Sequence, residues 1–537
     1  MPSLRFFSRA LRALLISVVL LAAALGVAEL GLRGLYAYAF WSTERSPLIY
    51  ERVYWAVPPW VAYTSVMYED PELGLWMKPN ATRTYVNLFG PIGDLADVGT
   101  LFHALFPSLP AWARERPVWH LTTNSLGLRG GELPHEKRAD AFRIVVLGDS
   151  WTVGVNVENE DGYPSRLAEL LASAAAPHPI EVLNFGVVGG RAETGRKLLP
   201  RVLALHPDLA IVAYAQNDEA DVRDTRPRPA RPPGPQPAPP FRWRAFLRRF
   251  ELYNLYLWWS TPGEDRIEAT LRHELSRATA VPMNGPGRPC PNDAFAATPY
   301  RATIDEIVRT LGDAGVATIL LYNSVPDFAS HCTLRALSAV AAERGVPLVD
   351  SSTVLEGLEH QAAADLEARF ALAPDPARTR AHAGTIDAVL RVDMAADPSG
   401  RPPFVMGNQP QLGGFVPNAV PLYDDGSHGD QRAGDGVWSA RFTFTEPQLL
   451  TYAFTNGAPA GSWTGLENYR LRAFALRPED LGHTVYLPIA QFGRQALRSD
   501  SSHPDATGHR AIAHALADVI EASNGFAAFT GSPPVKR

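Results

Sequence analysis

Apolar residues run without a charge from Ala13 to Ala28, directly behind Arg5, Arg9 and Arg12. A membrane span needs about 20 apolar residues. The run approaches that length, and Leu30 to Phe40 extends it once Glu29 is placed at the interface. The arginine cluster should stay cytoplasmic, so the remaining chain is expected outside the cytoplasm, in the periplasm or beyond the cell. No small-x-small site is followed at once by polar sequence. A retained anchor over residues 1–40 is therefore preferred to a cleaved signal peptide.

The pattern then changes character twice. Residues 41–139 are aromatic and Pro-rich without sustained periodicity, and read as an extracytoplasmic neck ending near Asn124-Ser-Leu-Gly-Leu-Arg129. From residue 140 short apolar runs alternate with amphipathic stretches. Strands are expected at 142–147, 180–184, 209–214, 317–322 and 347–349, and helices at 163–175, 193–205, 302–314 and 334–344. Short buried runs joined by helices predict a parallel sheet covered on both faces, with ligands beyond the strands' carboxyl ends. The expected fold class is α/β, a flavodoxin-like three-layer arrangement over 140–380 that resumes at 482–525.

Two stretches interrupt this rhythm. The Pro/Arg tract 226–240 must be an extended loop, because proline at this density removes backbone donors. After it, Trp243, Phe246, Phe250, Tyr253, Tyr256 and Trp259 recur at helical spacing. That stripe either packs on its own protein or lies on a membrane surface. The second interruption, 381–481, holds strand-like runs at 389–393, 438–445, 450–456 and 470–476 between Gly, Pro and Asp turns, and predicts an inserted all-β sandwich. Residues 526–537 read as a flexible tail.

At 537 residues the chain exceeds one compact core. Its 46% hydrophobic and 20% charged content is that of a globular protein. A net charge of −6 offers no field for phosphate backbones, which argues against a nucleic-acid partner. Cys290 and Cys332 are the only cysteines, too few for a zinc cluster. They either bridge, as an exported chain allows, or remain separate thiols, since sequence does not fix their Cα separation.

Acyl transfer from an ester needs an activated hydroxyl, a base held by an acid, and donors for the oxyanion. Ser150 follows Gly148-Asp149 at a strand end, where its hydroxyl can project into a crevice. Further blocks follow in order: Asn184-Phe-Gly-Val-Val-Gly189, Ala215-Gln-Asn-Asp218 and Asp500-Ser-Ser-His-Pro504. Together these resemble the SGNH (GDSL) hydrolase superfamily. The resemblance implies Ser150 as nucleophile, His503 as base and Asp500 as its orienting partner. It also implies an oxyanion hole from the Ser150 and Gly189 backbone NH groups and the Asn217 amide. Ala215 stands where the family has glycine, adding a methyl beside the oxyanion turn. An α/β-hydrolase elbow is disfavoured, because the second glycine of G-x-S-x-G is missing.

The inserted region, from Phe404 to Phe415 and Leu449 to Asn456, resembles a starch-binding-type carbohydrate module. On that resemblance Trp438, Trp463 and Tyr469 are candidate sugar-stacking residues, although Phe415 replaces the family's tryptophan; a lid over the crevice is the alternative role. Asp424, Asp425, Asp430 and Asp435 lie among glycines, a composition that suits Ca²⁺ and equally suits plain turns. No cofactor is needed for the ester chemistry. The expected function is a serine esterase or deacylase acting on acyl esters of an envelope or extracellular carbohydrate. The alternatives are an acyltransferase onto polysaccharide with the same triad, and a non-catalytic glycan-binding protein.

Overall fold

A computed structural model describes residues 2–40, 66–86, 118–218, 246–260, 298–324, 332–370, 384–493 and 503–531, apart from a few positions within these ranges. Helix α1 (Pro2–Phe40) opens the chain. Two antiparallel pairs follow, β1 (Met67–Asp70) with β2 (Gly74–Met77) and β3 (Thr82–Val86) with β4 (Val118–Thr122). The α/β unit then runs β5 (Phe142–Gly148), the one-turn helix α2 (Ser150–Val153), α3 (Tyr163–Ala175), β6 (Ile180–Gly186), α4 (Ala192–Leu203) and β7 (Leu209–Ala213). After α5 (Glu251–Ser260) come α6 (Pro299–Asp313), β8 (Ala317–Tyr322), α7 (Cys332–Arg344), β9 (Leu348–Asp350) and α8 (Ser351–Phe370).

The five strands of this unit form one parallel sheet in the order β6-β5-β7-β8-β9. Alternation along each strand sends side chains to two apolar layers. Val145, Leu147, Ala210, Val212 and Leu320 meet α4, α6 and α7. Ile144, Val146, Ile211, Ile319 and Leu321 meet α3 and the C-terminal helix α9 (Ala506–Glu521). Both faces are thus covered, which is why these strands read as near-continuous apolar runs. Strand order reverses between β5 and β7, and in such sheets ligands are expected beyond the carboxyl ends of the strands at this point.

Among the described residues, eight strands lie between α8 and α9: β10 (Ile386–Asp393), β11 (Phe404–Gly407), β12 (Val420–Pro421), β13 (Val437–Phe444), β14 (Leu449–Thr455), β15 (Arg472–Ala475), β16 (Thr484–Tyr486) and β17 (Ala490–Gln491). One sheet is ordered β13-β10-β16, with β17 also on β10; the other is β12-β11-β14-β15. Ile386, Ala388, Leu390 and Val392 of β10 pack against Val405, Leu450 and Phe454 across the sandwich.

Three boundaries differ from the expectation. The sandwich does not stop at 481, because β16 and β17 pair in parallel with β10; strands of three and two residues carry no readable period. Helix α8 was not anticipated, since its Ala, Glu and His composition lacks an apolar stripe. Its Glu367 pairs with the buried Arg391 of β10 (Arg391 Nη1 to Oε2, 3.1 Å), and its Leu366 and Phe370 pack with Val437 and Ile489, so it ties the sandwich to the α/β unit. Finally, the expected tail at 526–537 begins instead in helix α10 (Asn524–Thr530), where Phe526 is buried edge-on against Phe142, ring centroids 5.5 Å apart.

Candidate active site

Ser150 begins α2, the turn that ends β5. Asp149 caps it, accepting a hydrogen bond from the Trp151 amide at 2.9 Å. This places the Ser150 hydroxyl at the sheet's switch point. His503 lies just before α9, whose N-terminus is capped by Asp505 through the Thr507 and Gly508 amides, both at 2.9 Å. The cap fixes where the preceding chain arrives. His503 Nε2 lies 2.7 Å from Ser150 Oγ, across 353 residues of sequence. Asp500 lies outside the described residues.

The turn after β6 is held against the nucleophile turn. Asn184 Nδ2 donates to the Thr152 carbonyl at 2.6 Å, and its Oδ1 accepts from the Gly186 amide at 2.9 Å. A Cβ on Gly186 would fall 2.4 Å from the Val153 nitrogen, so only glycine permits this approach. Gly189 has φ +72°, a left-handed conformation that favours glycine and turns the chain toward α4. The third block is joined to the first as well: Trp151 Nε1 donates to Gln216 Oε1 at 3.1 Å.

Asn217 Nδ2 donates to Asp149 Oδ2 at 3.3 Å and to the Gly190 carbonyl at 3.1 Å. Both amide hydrogens are directed at internal acceptors through rather long bonds. An oxyanion would have to draw one of them away. Ala215 is fully buried in the apolar layer beneath α4 and α6, so its methyl packs in the core.

Residues beyond the motifs complete the site. Asn323, at the carboxyl end of β8, donates to Asp149 Oδ1 at 2.8 Å. Asp149 is fully buried, and that burial pushes its carboxyl up to about 6 despite the Trp151 amide, the His503 charge and Asn323, all of which oppose the rise. Arg129, from the end of the neck, donates to the carbonyls of Val153, Gly154, Val157 (2.6 Å) and His120 (3.2 Å), and so clamps the loop behind α2. His509 of α9 stacks on Tyr163 and accepts from its amide at 3.3 Å. Burial first, then the charges of Arg129 and His503, hold His509 down to about 3, so it stays neutral. Sequence signals existed for Asn323, a polar residue closing a strand, and for Arg129 in the stretch Asn124–Arg129 near the end of the neck. His509 carried none beyond its helix.

The other candidates sit in the sandwich. Trp438 is half-buried against the sandwich core, and Trp463 and Tyr469 lie outside the described residues. Asp424, Asp430 and Asp435 converge, with one carboxylate oxygen of each within 4.8 Å of the others. Asp425 stays apart, its Oδ1 accepting from the Ser427 amide at 2.8 Å and hydroxyl at 2.6 Å. Burial, then Asp424 and Asp435, raises the Asp430 carboxyl. Their oxygens are the hard donors a Ca²⁺ ion takes, and some also accept from loop amides such as Gly426 (2.6 Å) and Val437 (2.9 Å), while Asp435 Oδ2 is buried without a hydrogen-bond partner. Cys332 is disulfide-bonded, and Cys290 is the chain's other cysteine.

Residues 146–376 match the GDSL-like Lipase/Acylhydrolase family. No curated protein matches the chain. Among solved structures, the fold is similar to TesA (16% identity, 40% of this chain and 80% of that one, TM-score 0.23). It is similar also to a lipase/acylhydrolase from Enterococcus faecalis (16% identity, 39% and 75%, TM-score 0.21). A third likeness is to a two-domain esterase (CEX) active on acetylated mannans (14% identity, 39% and 37%, TM-score 0.23).

Proposed function

We propose that this SGNH-type ester hydrolase, whose residues 146–376 match the GDSL-like Lipase/Acylhydrolase family, removes acyl groups from an envelope or extracellular carbohydrate through an acyl-enzyme on Ser150. The carrying observation is the 2.7 Å contact of His503 Nε2 with Ser150 Oγ at the switch point of the sheet. His503 accepts the hydroxyl proton as Oγ attacks the ester carbonyl. Asp500, three residues upstream, is the proposed partner that orients the imidazole. The negative charge that develops on the carbonyl oxygen is met by the Ser150 and Gly189 backbone NH groups and by Asn217, whose two long bonds can yield to a stronger acceptor. His503 returns its proton to the departing alcohol oxygen, and water, activated by the same imidazole, releases the acid. No cofactor enters this sequence.

The carbohydrate part of the proposal is supported by the sandwich insertion and its resemblance to a sugar-binding module. Retention at a membrane is supported by α1, whose stretch Arg12–Tyr36 is long and apolar enough to span a bilayer and is 6% buried. Acetylated polysaccharide incubated with the protein should release acetate. Acetate that instead appears on an added unacetylated glycan would favour the transferase, since a sugar hydroxyl would then be intercepting the acyl-enzyme. Glycan binding that persists while neither event occurs would favour a non-catalytic role.

A further inference from the structure

The long apolar helix touches the rest of the protein along one stripe. Among the described residues of α1, Glu29 and Tyr36 are buried and Leu32 and Arg33 half-buried, at the spacing of one helix face, while the remainder is exposed. Glu29 is a carboxylate inside the Arg12–Tyr36 stretch, where an uncompensated charge is costly. It is fully engaged. Its Oε1 accepts from the Glu251 amide and its Oε2 from the Leu252 amide, both at 2.9 Å, and Arg33 Nε pairs with Oε1 at 2.6 Å. Arg33 also donates to the Arg249 carbonyl. The amides of Glu251 and Leu252 are the first of α5, which no preceding Ser, Thr, Asp or Asn caps in its own chain. The anchor helix therefore caps α5 from outside.

That contact sets depth. Counting about 20 residues for the hydrocarbon core from Ala13 ends near Leu32. Glu29 and Arg33 then stand at the outer boundary, and the first turn of α5 stands beside them. From this point α5 extends roughly 15 Å over its ten residues. Four aromatics here face outward: Tyr256 is 58% and Trp259 76% exposed, and Phe246 and Phe250 just before the helix are also exposed, while Tyr253 is half-buried. The segment leading in, Phe241-Arg-Trp-Arg-Ala-Phe-Leu-Arg-Arg-Phe250, carries four arginines among four aromatics. Of the two roles the aromatic stripe allowed, burial in the protein is not the one these side chains adopt.

We propose that α5 and its arginine-rich lead-in dock on the headgroup region of the bilayer that holds α1, with anionic phospholipid as the preferred partner, and that Glu29 fixes this helix to the anchor. Aromatic rings with one polar edge settle at that level, and arginines beside them attract anionic headgroups. The consequence for function is positional: in chain order α5 follows the turn that carries Asn217 and Asp218, so the proposed oxyanion turn and the proposed membrane-facing helix are neighbours along the sequence of described elements. The inference rests on the anchor reading, and its test separates the two.

Full-length protein carrying Trp259→Cys or Tyr256→Cys, labelled with an environment-sensitive nitrobenzoxadiazole dye, would be reconstituted in vesicles of phosphatidylethanolamine and phosphatidylglycerol. Ala172→Cys on the exposed face of α3 supplies the aqueous control. The expected result is blue-shifted emission, severalfold stronger quenching by doxyl-labelled lipid than at the control, and protection from iodide. Protein that resists carbonate extraction while its label is iodide-quenched as at the control would overturn the inference and leave the anchor standing. Extraction by carbonate would overturn both. Adding Glu29→Ala to the labelled background should raise iodide access severalfold, and unchanged access would overturn the role given to Glu29.

Discussion

At the scale of single residues, two buried groups pull stability in opposite directions with pH. His509, held down from 6.5 to about 3, is neutral when folded, while the unfolded chain takes up a proton below 6.5; its contribution is present above 6.5 and lost as pH falls toward 3. Asp149, pushed up from 3.8 to about 6, holds its proton better when folded; its contribution is present below 3.8 and lost as pH rises through 6. The histidine's displacement is the larger, so these two groups together should make the protein more stable at pH 7 than at pH 4. Urea unfolding at the two values checks this, and His509→Phe, which keeps the stack on Tyr163, should flatten the difference. A second expectation concerns Arg129. Replacing it with Met removes donors from several buried carbonyls, each costing about 1 to 3 kcal/mol, and frees the loop behind α2. Both the unfolding midpoint and kcat should fall, with KM nearly unchanged.

At the scale of elements, the site depends on one close approach between turns. Gly186→Ala would press a methyl onto the Val153 nitrogen and shift α2, whose first residue is Ser150. A loss of kcat/KM of about a hundredfold is expected from a displacement on the order of 1 Å, with a smaller effect on stability, measured by steady-state hydrolysis beside thermal unfolding. The α/β strands and helices were legible almost to the residue, because burial on both faces gives runs such as Ile-Val-Val-Leu147 and the covering helices show a clear stripe. The blocks that hold Ser150, Gly189, Asn217 and His503 were legible because each is short and lies beside a strand or helix end, and the roles given to these residues are part of the proposal. The tethers were not. Asn323 and Arg129 act through contacts with residues far away in sequence, and α8 earns its place only through Arg391 and Val437 of another sheet. Glu367→Ala should test that last tie: it leaves Arg391 buried and short of its carboxylate, and should lower the unfolding temperature of the sandwich by several degrees in calorimetry.

At the scale of the whole molecule, the chain reads as a catalytic unit with a β-sandwich fastened by α8 and a long apolar helix, the proposed anchor, fastened by Glu29. Removing residues 1–40 takes away the cap of α5 and leaves its aromatics in water. The truncated protein should hydrolyse simple esters but associate in the absence of detergent, and Tyr256→Ser with Trp259→Ser should restore a monodisperse species in light scattering. Esterase activity itself should survive, because the described contacts around Ser150 come from the α/β unit and the end of the neck.

The measurement that bears most directly on the central claim is covalent labelling of the full-length protein by a serine-directed fluorophosphonate, run with p-nitrophenyl acetate hydrolysis and repeated on Ser150→Ala. Stoichiometric labelling and turnover in the native chain, with both lost in the variant and turnover reduced about a million-fold, is the predicted result. A folded native protein that neither labels nor turns over, or a variant that still does both, would contradict it.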